Sequence, residues 1–258
     1  MTLVKYDETR HACNICAKME ADANAKAYDE VSGPQIEAGS QFIRELNLSL
    51  GDKVLDMGCG TGHLTKYIAD IVGPDGQAVG IDPDAERIKI AEEKYKAVGN
   101  LQFYVGNSVI GFPNDSEPYY DVHISTNAFH WVPDDDKRIY IQKAHRCLKA
   151  GGKLAIWCAA KMLNEEKIEG AHTLTQVQEG YRDMFQEVGL FNNVVVDAPI
   201  YPYRYESFEE FKRWFKASAR QDLDPDKHAD LVKKLVTTED DGQVTFKVPC
   251  IHITACKN

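Results

Sequence analysis

The chain has no long hydrophobic run. Its longest, residues 154–160, is far below the roughly 18 apolar residues that a membrane-spanning helix needs and has the length of a buried strand. A basic block is also missing: 30 Lys and Arg against 40 Asp and Glu leave a formal net charge of −10. That balance repels phosphate backbones and anionic lipid surfaces. Lys233 and Lys234, like the lysines at 212 and 216, sit among apolar residues at helical spacing, as solvated helix faces do. Neither a nucleic-acid partner nor a membrane is therefore expected. The opening Met1-Thr2-Leu3-Val4-Lys5-Tyr6 has no apolar segment behind it, so the expected location is cytoplasmic. Repeats and low-complexity tracts are absent. Seven cysteines, an odd number scattered along the chain, speak for reduced thiols rather than a disulfide framework. Cys13 and Cys16 have Cys-x-x-Cys spacing, but no second such pair follows. With only Cys250, His252 and Cys256 clustered elsewhere, no metal site is expected.

What is present is ordinary globular material, with 43% hydrophobic and 27% charged residues in 258. This suits one large domain, or a core with an inserted cap, and needs no staples. Through the first two-thirds of the chain, helical and strand periods alternate. Strands are predicted at 53–57, 77–81, 101–105, 121–125 and 152–158, and helices at 35–46, 62–71, 85–98 and 135–148. Such alternation implies right-handed crossovers and a parallel sheet covered on both faces. Beyond residue 159 the pattern becomes a helix at 173–188, an extended run at 193–205, helices at 208–218 and 225–236, and an alternating run from 243 to 253. The expected fold is doubly wound, Rossmann-like α/β: a seven-stranded, mostly parallel sheet with an antiparallel edge strand and a helical cap insertion. Residues 1–50 would form N-terminal helices or a lid, 51–160 the ligand-binding core, and 161–258 the rest of the sheet, with the cap at about 206–238.

The informative stretch runs Val54-Leu55-Asp56-Met57-Gly58-Cys59-Gly60-Thr61-Gly62-His63-Leu64-Thr65, an apolar strand passing through three alternating glycines into a helix. Glycines let a tight turn bring backbone closer to a ligand than any Cβ permits, and the helix start adds unpaired N–H groups. Asp82, 20 residues after Gly62 in Val79-Gly80-Ile81-Asp82-Pro83, ends the second strand where a carboxylate can accept both hydroxyl protons of a ribose.

These residues resemble the class I S-adenosylmethionine-dependent methyltransferases, whose first motif is acid-x-Gly-x-Gly-x-Gly and whose second strand ends in an acid. The resemblance implies S-adenosyl-L-methionine as cofactor, with Gly58, Gly60 and Gly62 against its methionine part, Asp56 anchoring that region and Asp82 on the ribose. Cys59, Pro83, Ser108 and Asn127 would complete the cofactor site. Asn107, in Val105-Gly106-Asn107-Ser108, stands where the family usually has an acid for the adenine amine, and its amide oxygen could accept the same bond. A nicotinamide dehydrogenase would share the fold and the ribose acid but uses Gly-x-Gly-x-x-Gly spacing.

Strand four leads into Ser125-Thr126-Asn127-Ala128-Phe129-His130-Trp131-Val132 at the ligand-binding edge of the sheet. This segment lacks the Asn/Asp-Pro-Pro-aromatic sequence of nucleobase amino-methyltransferases and the acid of the metal-dependent catechol type. It is similar to the small-acid carboxyl methyltransferases, the trans-aconitate and juvenile hormone acid enzymes. That resemblance implies acceptor contacts from Gln35 and Trp131; His130 and Trp131 are the catalytic candidates, and Trp131, Phe129 and Tyr28 could face the sulfonium or a cationic substrate. Since the sulfonium already makes the methyl group electrophilic, positioning can suffice, and no triad is required. A carboxylate arrives ionised, whereas an ammonium would need a base such as His130. His63 and His123 have no partner motif that marks either as catalytic. The expectation is methyl transfer to a small molecule, to a carboxylate oxygen before an amine. A thiol or metalloid acceptor, tied to Cys13 and Cys16, and a non-catalytic cofactor-binding regulator remain alternatives, and the oligomeric state stays open.

Overall fold

The computed structural model describes residues 25–26, 29–30, 32–160, 173–219, 229, 232–233 and 236–258. Helix α1 (Gly33–Glu45) precedes an alternating series: β1 (Lys53–Met57), α2 (His63–Val72), β2 (Gln77–Asp82), α3 (Ala85–Tyr95) and β3 (Leu101–Val105). There follow β4 (Tyr120–Thr126), a 3₁₀ turn (Phe129–Trp131), α4 (Asp134–Cys147), β5 (Leu148–Ala159) and α5 (Leu174–Val188). The chain then forms β6 (Asn192–Asp197), β7 (Ile200–Tyr205), α6 (Phe208–Ala219), β8 (Val236–Thr238) and β9 (Val244–Cys256).

The first five strands pair in parallel, in the order β3-β2-β1-β4-β5. Side chains alternate between two cores, as the strand period of two requires. Val54, Ala78, Val122, Ala155 and Trp157 face α1, α2 and α3. Leu55, Val79, Leu154 and Ile156 face α4 and α5. Helices thus cover both faces of the sheet, which is the doubly wound arrangement. In α1 the buried positions Gln35, Ala38, Gly39, Phe42 and Ile43 recur at helical spacing, and Gln35 is the polar member of an otherwise apolar or small stripe.

The structure corrects two expectations about the sheet. Among the described residues nine strands hydrogen-bond together, seven along the path β3-β2-β1-β4-β5-β9-β6 with β7 and β8 joined to β9 beyond it, and β9 is an inner strand, not the edge. At 13 residues β9 is long enough to serve several partners: its Cys250–Cys256 half pairs antiparallel with β5 on one side and β6 on the other. Its Val244–Pro249 half continues into a second antiparallel sheet with β7 and β8. An alternating run marks a strand but carries no record of its neighbours. The extended run predicted at 193–205 is two strands, β6 and β7, separated at Ala198-Pro199, where the Pro199 carbonyl accepts the Cys250 N–H at 2.8 Å.

Of the region expected to form a cap, α6 packs Phe211 and Trp214 on Tyr205 and Phe246, with ring centroids 5.2–5.7 Å apart. Most of the helix predicted at 225–236 lies outside the described residues, and Val236 opens β8 instead. No helix of the described residues is long and apolar enough to cross a membrane. Cys13 and Cys16 lie outside the described residues.

Candidate active site

The loop from β1 to α2 turns through Gly58, Gly60 and Gly62, with φ of +82°, +57° and +83°. Their reasons differ. A Cβ on Gly58 would stand 2.2 Å from the Cβ of Ala128, so this glycine lets the β4 loop close on the turn. A Cβ on Gly62 would lie 2.5 Å from the Phe103 ring, so this one serves helix-on-sheet packing. Gly58 and Cys59 both donate to the Ile81 carbonyl, at 2.8 and 3.0 Å, and the loop is thereby tied to the end of β2.

Two buried carboxylates lie beneath this loop. Asp56, the fourth residue of β1, accepts from the Thr65 hydroxyl at 2.7 Å, while its other oxygen has no partner among the described residues. Burial, with the nearby Asp82 charge, pushes its carboxyl up to about 7 against the Thr65 hydrogen bond. Asp82 accepts the Gly60 N–H at 3.0 Å and the Asp84 N–H at 2.9 Å. Burial raises its carboxyl as well, against the backbone bonds and the Arg87 charge. Pro83 is exposed just beyond, and Asp84 caps α3 by accepting from Glu86 and Arg87.

At the end of β3, Asn107 folds its amide oxygen back onto the N–H groups of Val109 and Ile110, at 2.8 and 2.9 Å. Both lone pairs of that oxygen are engaged in its own turn. The acceptor role that the resemblance implies would have to displace that turn. Ser108 beside it is buried.

A small cavity opens on one side of the glycine loop. Gly58, Cys59, Thr61, His63 and Leu64 form its floor; Thr126, Asn127 and Trp157 come from the ends of β4 and β5. Its remaining wall is the start of α1, through Ser32, Gln35 and Ile36. Asn127 adopts φ +53° and donates its N–H to the Trp157 carbonyl at 2.6 Å, which joins the β4 and β5 sides.

The structure brings Gln35, Gly58, Cys59 and Asn127 together around this cavity, with Gly60 in the same loop bonded to Asp82 and Asp56 buried nearby. It does not bring the predicted aromatics there. Phe129 is wholly buried and packs on Tyr140 and Tyr181 at 5.7 and 5.8 Å, a core residue instead of an acceptor contact. Trp131 points outward, 59% exposed, and His130 is buried beside it with ring centroids 4.9 Å apart. Neither lines the cavity, because the 3₁₀ turn sends successive side chains in different directions. Tyr28 lies outside the described residues.

His63, which no motif marks, lines the cavity as the first residue of α2. Its Nε2 is 2.7 Å from Asp29, which also accepts from Lys94 at 3.0 Å, and its Nδ1 lies 3.4 Å from the Tyr95 hydroxyl. Burial acts to raise the Asp29 carboxyl, but Thr61, Lys94 and His63 together hold it below the usual range. Ser32 and Trp157 also escape sequence reasoning, since only the folded chain brings them to the loop. His123, by contrast, is an interior residue stacked on Phe112, and burial drives its pKa down to about 3.

The fold and site together define a doubly wound α/β domain with a cavity beside its glycine loop at the carboxyl ends of its parallel strands. Residues 54–152 match the family model of the methyltransferase domain. The chain is 34% identical over 113 residues to a demethylmenaquinone methyltransferase of Geobacillus stearothermophilus, covering 43% of this chain and 46% of that protein. A protein-L-isoaspartate O-methyltransferase of Triticum aestivum is 31% identical over 134 residues, covering 49% and 54%. The chain spans about half the length of these relatives. A SAM-dependent methyltransferase from Aquifex aeolicus has the same fold, with TM-score 0.55 at 16% identity over 92% of this chain and 98% of that one.

Proposed function

We propose that this protein is an S-adenosyl-L-methionine-dependent methyltransferase acting on a small-molecule acceptor. The observation that carries the reading is the pair of buried carboxylates, Asp56 and Asp82, under a loop that Gly58 keeps free of a Cβ. Two acids buried so close together favour a ligand that brings positive charge and hydroxyl donors. A sulfonium cofactor with a ribose has both, and the unpartnered oxygen of Asp56 fits it. When bound, that cofactor supplies an electrophilic methyl group. Asp82, already oriented by the Gly60 and Asp84 N–H groups, would hold the ribose hydroxyls. Thr126 and Asn127, at the carboxyl end of β4, would bound the reacting side, where exclusion of water and alignment of the nucleophile supply the rate.

For the acceptor, a carboxylate oxygen asks least of the site. Among the described lining residues, the titratable groups are Cys59 and His63. Burial raises the Cys59 thiol well above its usual range, and the His63 Nε2 faces Asp29 while its Nδ1 faces the Tyr95 hydroxyl, so an acceptor that needs no deprotonation fits this lining best. An acid arrives already ionised.

The test is calorimetric titration with S-adenosylmethionine and S-adenosylhomocysteine, with Asp82→Ala as control, followed by transfer of a labelled methyl group to small acids and amines. Saturable binding that the control loses, and a product that releases labelled methanol in alkali, are the expected results. Alkali-stable product would move the reading to N-methylation. Binding without any transfer would point to a regulator, and no binding would end the cofactor reading.

A further inference from the structure

We propose that the start of α1 is a subsite for the amino-acid tail of the cofactor, with the Ser32 hydroxyl and the Gln35 amide as its ligands and Asp29 as the residue that positions them. The inference rests on the S-adenosylmethionine reading and goes beyond it by assigning Gln35 to the cofactor instead of the acceptor.

Ser32-Gly33-Pro34-Gln35 has the spelling of a capping box, Ser-x-x-Gln, in which the hydroxyl and the amide each satisfy a backbone N–H at the helix start. In this helix Ser32 is the N-cap residue but its side chain makes no capping bond. Its Oγ and the Gln35 Oε1 are buried, with the residues 1% and 4% exposed, and neither atom has a partner among the described residues. Leaving a buried polar atom unsatisfied costs about 1–3 kcal/mol. Both side chains instead line the cavity across from Gly58 and Cys59.

The occupant has to supply what these groups lack. A hydroxyl and a primary amide each donate and accept, so together they suit a ligand end that carries an ammonium and a carboxylate. The first turn of α1 favours the carboxylate. Buried Asp56 and Asp82, below the loop, favour the ammonium.

The segment carrying Ser32 is fastened three residues earlier. Asp29 bridges His63 at the start of α2 and Lys94 at the end of α3, at 2.7 and 3.0 Å. That bridge sets where the first turn of α1 stands over the glycine loop. Asp29 therefore acts on the ligand through Ser32 and Gln35.

The experiment is calorimetry with S-adenosylhomocysteine, which has the tail, and methylthioadenosine, which lacks it. Ser32→Ala and Gln35→Met should each weaken S-adenosylhomocysteine binding by about tenfold and leave methylthioadenosine affinity unchanged. Wild-type affinity for S-adenosylhomocysteine in both variants would overturn the subsite, as would an equal loss for the two ligands. So would a Gln35→Met variant that binds S-adenosylhomocysteine normally but raises the acceptor KM. If the wild-type protein binds neither ligand, the cofactor reading itself falls, and that result is distinct from the others. For Asp29, Asp29→Asn should weaken S-adenosylhomocysteine binding, Asp29→Glu should restore part of it, and the effect should shrink when Ser32 is already alanine and vanish when Gln35 is methionine as well. Full additivity of Asp29→Asn and Ser32→Ala would overturn the positioning role.

Discussion

Helices α1 and α5 begin with the same kind of sequence and end in opposite states. At α5, Thr173 accepts the Gln176 N–H at 3.2 Å and Gln176 accepts the Thr173 N–H at 2.8 Å, a complete capping box. At α1, Ser32 and Gln35 stand at the same spacing and leave the box unmade. Location explains the difference. Thr173 and Gln176 are at the surface, where only the backbone competes for them, while Ser32 and Gln35 are drawn under the protein by the apolar stripe of α1. A buried polar group closed on its own backbone stabilises the fold; one left open holds hydrogen-bonding capacity for a ligand.

The largest expected effect concerns the loop that faces the open helix start. Gly58→Ala adds a Cβ 2.2 Å from that of Ala128 at a left-handed φ of +82°. It should cost roughly 3 kcal/mol or more and abolish cofactor binding, read by denaturant melts and calorimetry. A melt like that of the wild type would mean that the β4 loop can retreat from the turn, and the site would be less defined than its geometry suggests.

A second contrast sets Asp56, buried beside the glycine loop, against His123, closed in the core. The folded protein holds His123 at about 3 against the usual 6.5, so the unfolded chain binds more protons in that window. Its contribution is full above pH 6.5 and is lost as pH falls toward 3. Asp56 has the opposite sign. At about 7 against the usual 3.8, it is protonated more readily in the folded state, and stability falls as pH rises across that window. Each slope is bounded by about 1.4 kcal/mol per pH unit. In melting temperature against pH, His123→Phe should flatten the acid-side loss. Asp56→Asn should leave the free protein more stable than the wild type at pH 8 while weakening S-adenosylmethionine binding. Unchanged profiles in both variants would break the contrast.

The smallest effects test the helix starts directly. Thr173→Ala should cost about 1 kcal/mol of stability with no effect on ligand binding. Ser32→Ala should not destabilise the free protein, since no local bond is lost and a buried unsatisfied hydroxyl is removed. Equal destabilisation by the two would show that Ser32 and Thr173 both act as caps.

How much of the site was legible follows from how local each feature is. The glycine turn and Asp82 lie within one strand-turn-helix unit and the strand after it, so their spacing alone places them at one sheet edge. Asn127 is legible for the same reason, as the residue that ends β4. Phe129 and Trp131 were readable as aromatics at that edge but not as to direction: the 3₁₀ turn buries one and exposes the other. His63 looks like an ordinary helix residue until Asp29 and Lys94, distant in sequence, meet on it. The inner place of β9 was equally invisible, because an alternating pattern states which face is buried and not which strands lie on either side.

By itself, then, the sequence determined the alternation of strands and helices, the glycine loop and its two acids, since each depends on residue spacing and backbone freedom within a few turns of chain. Only the tertiary structure decided that Ser32 and Gln35 remain open, that Asp29 fastens the segment before them, and that the aromatic pair leaves the cavity. Those outcomes depend on which groups are buried together, and burial is a property of the packed molecule, in which a polar atom must find its partner locally, across the fold, or in a ligand.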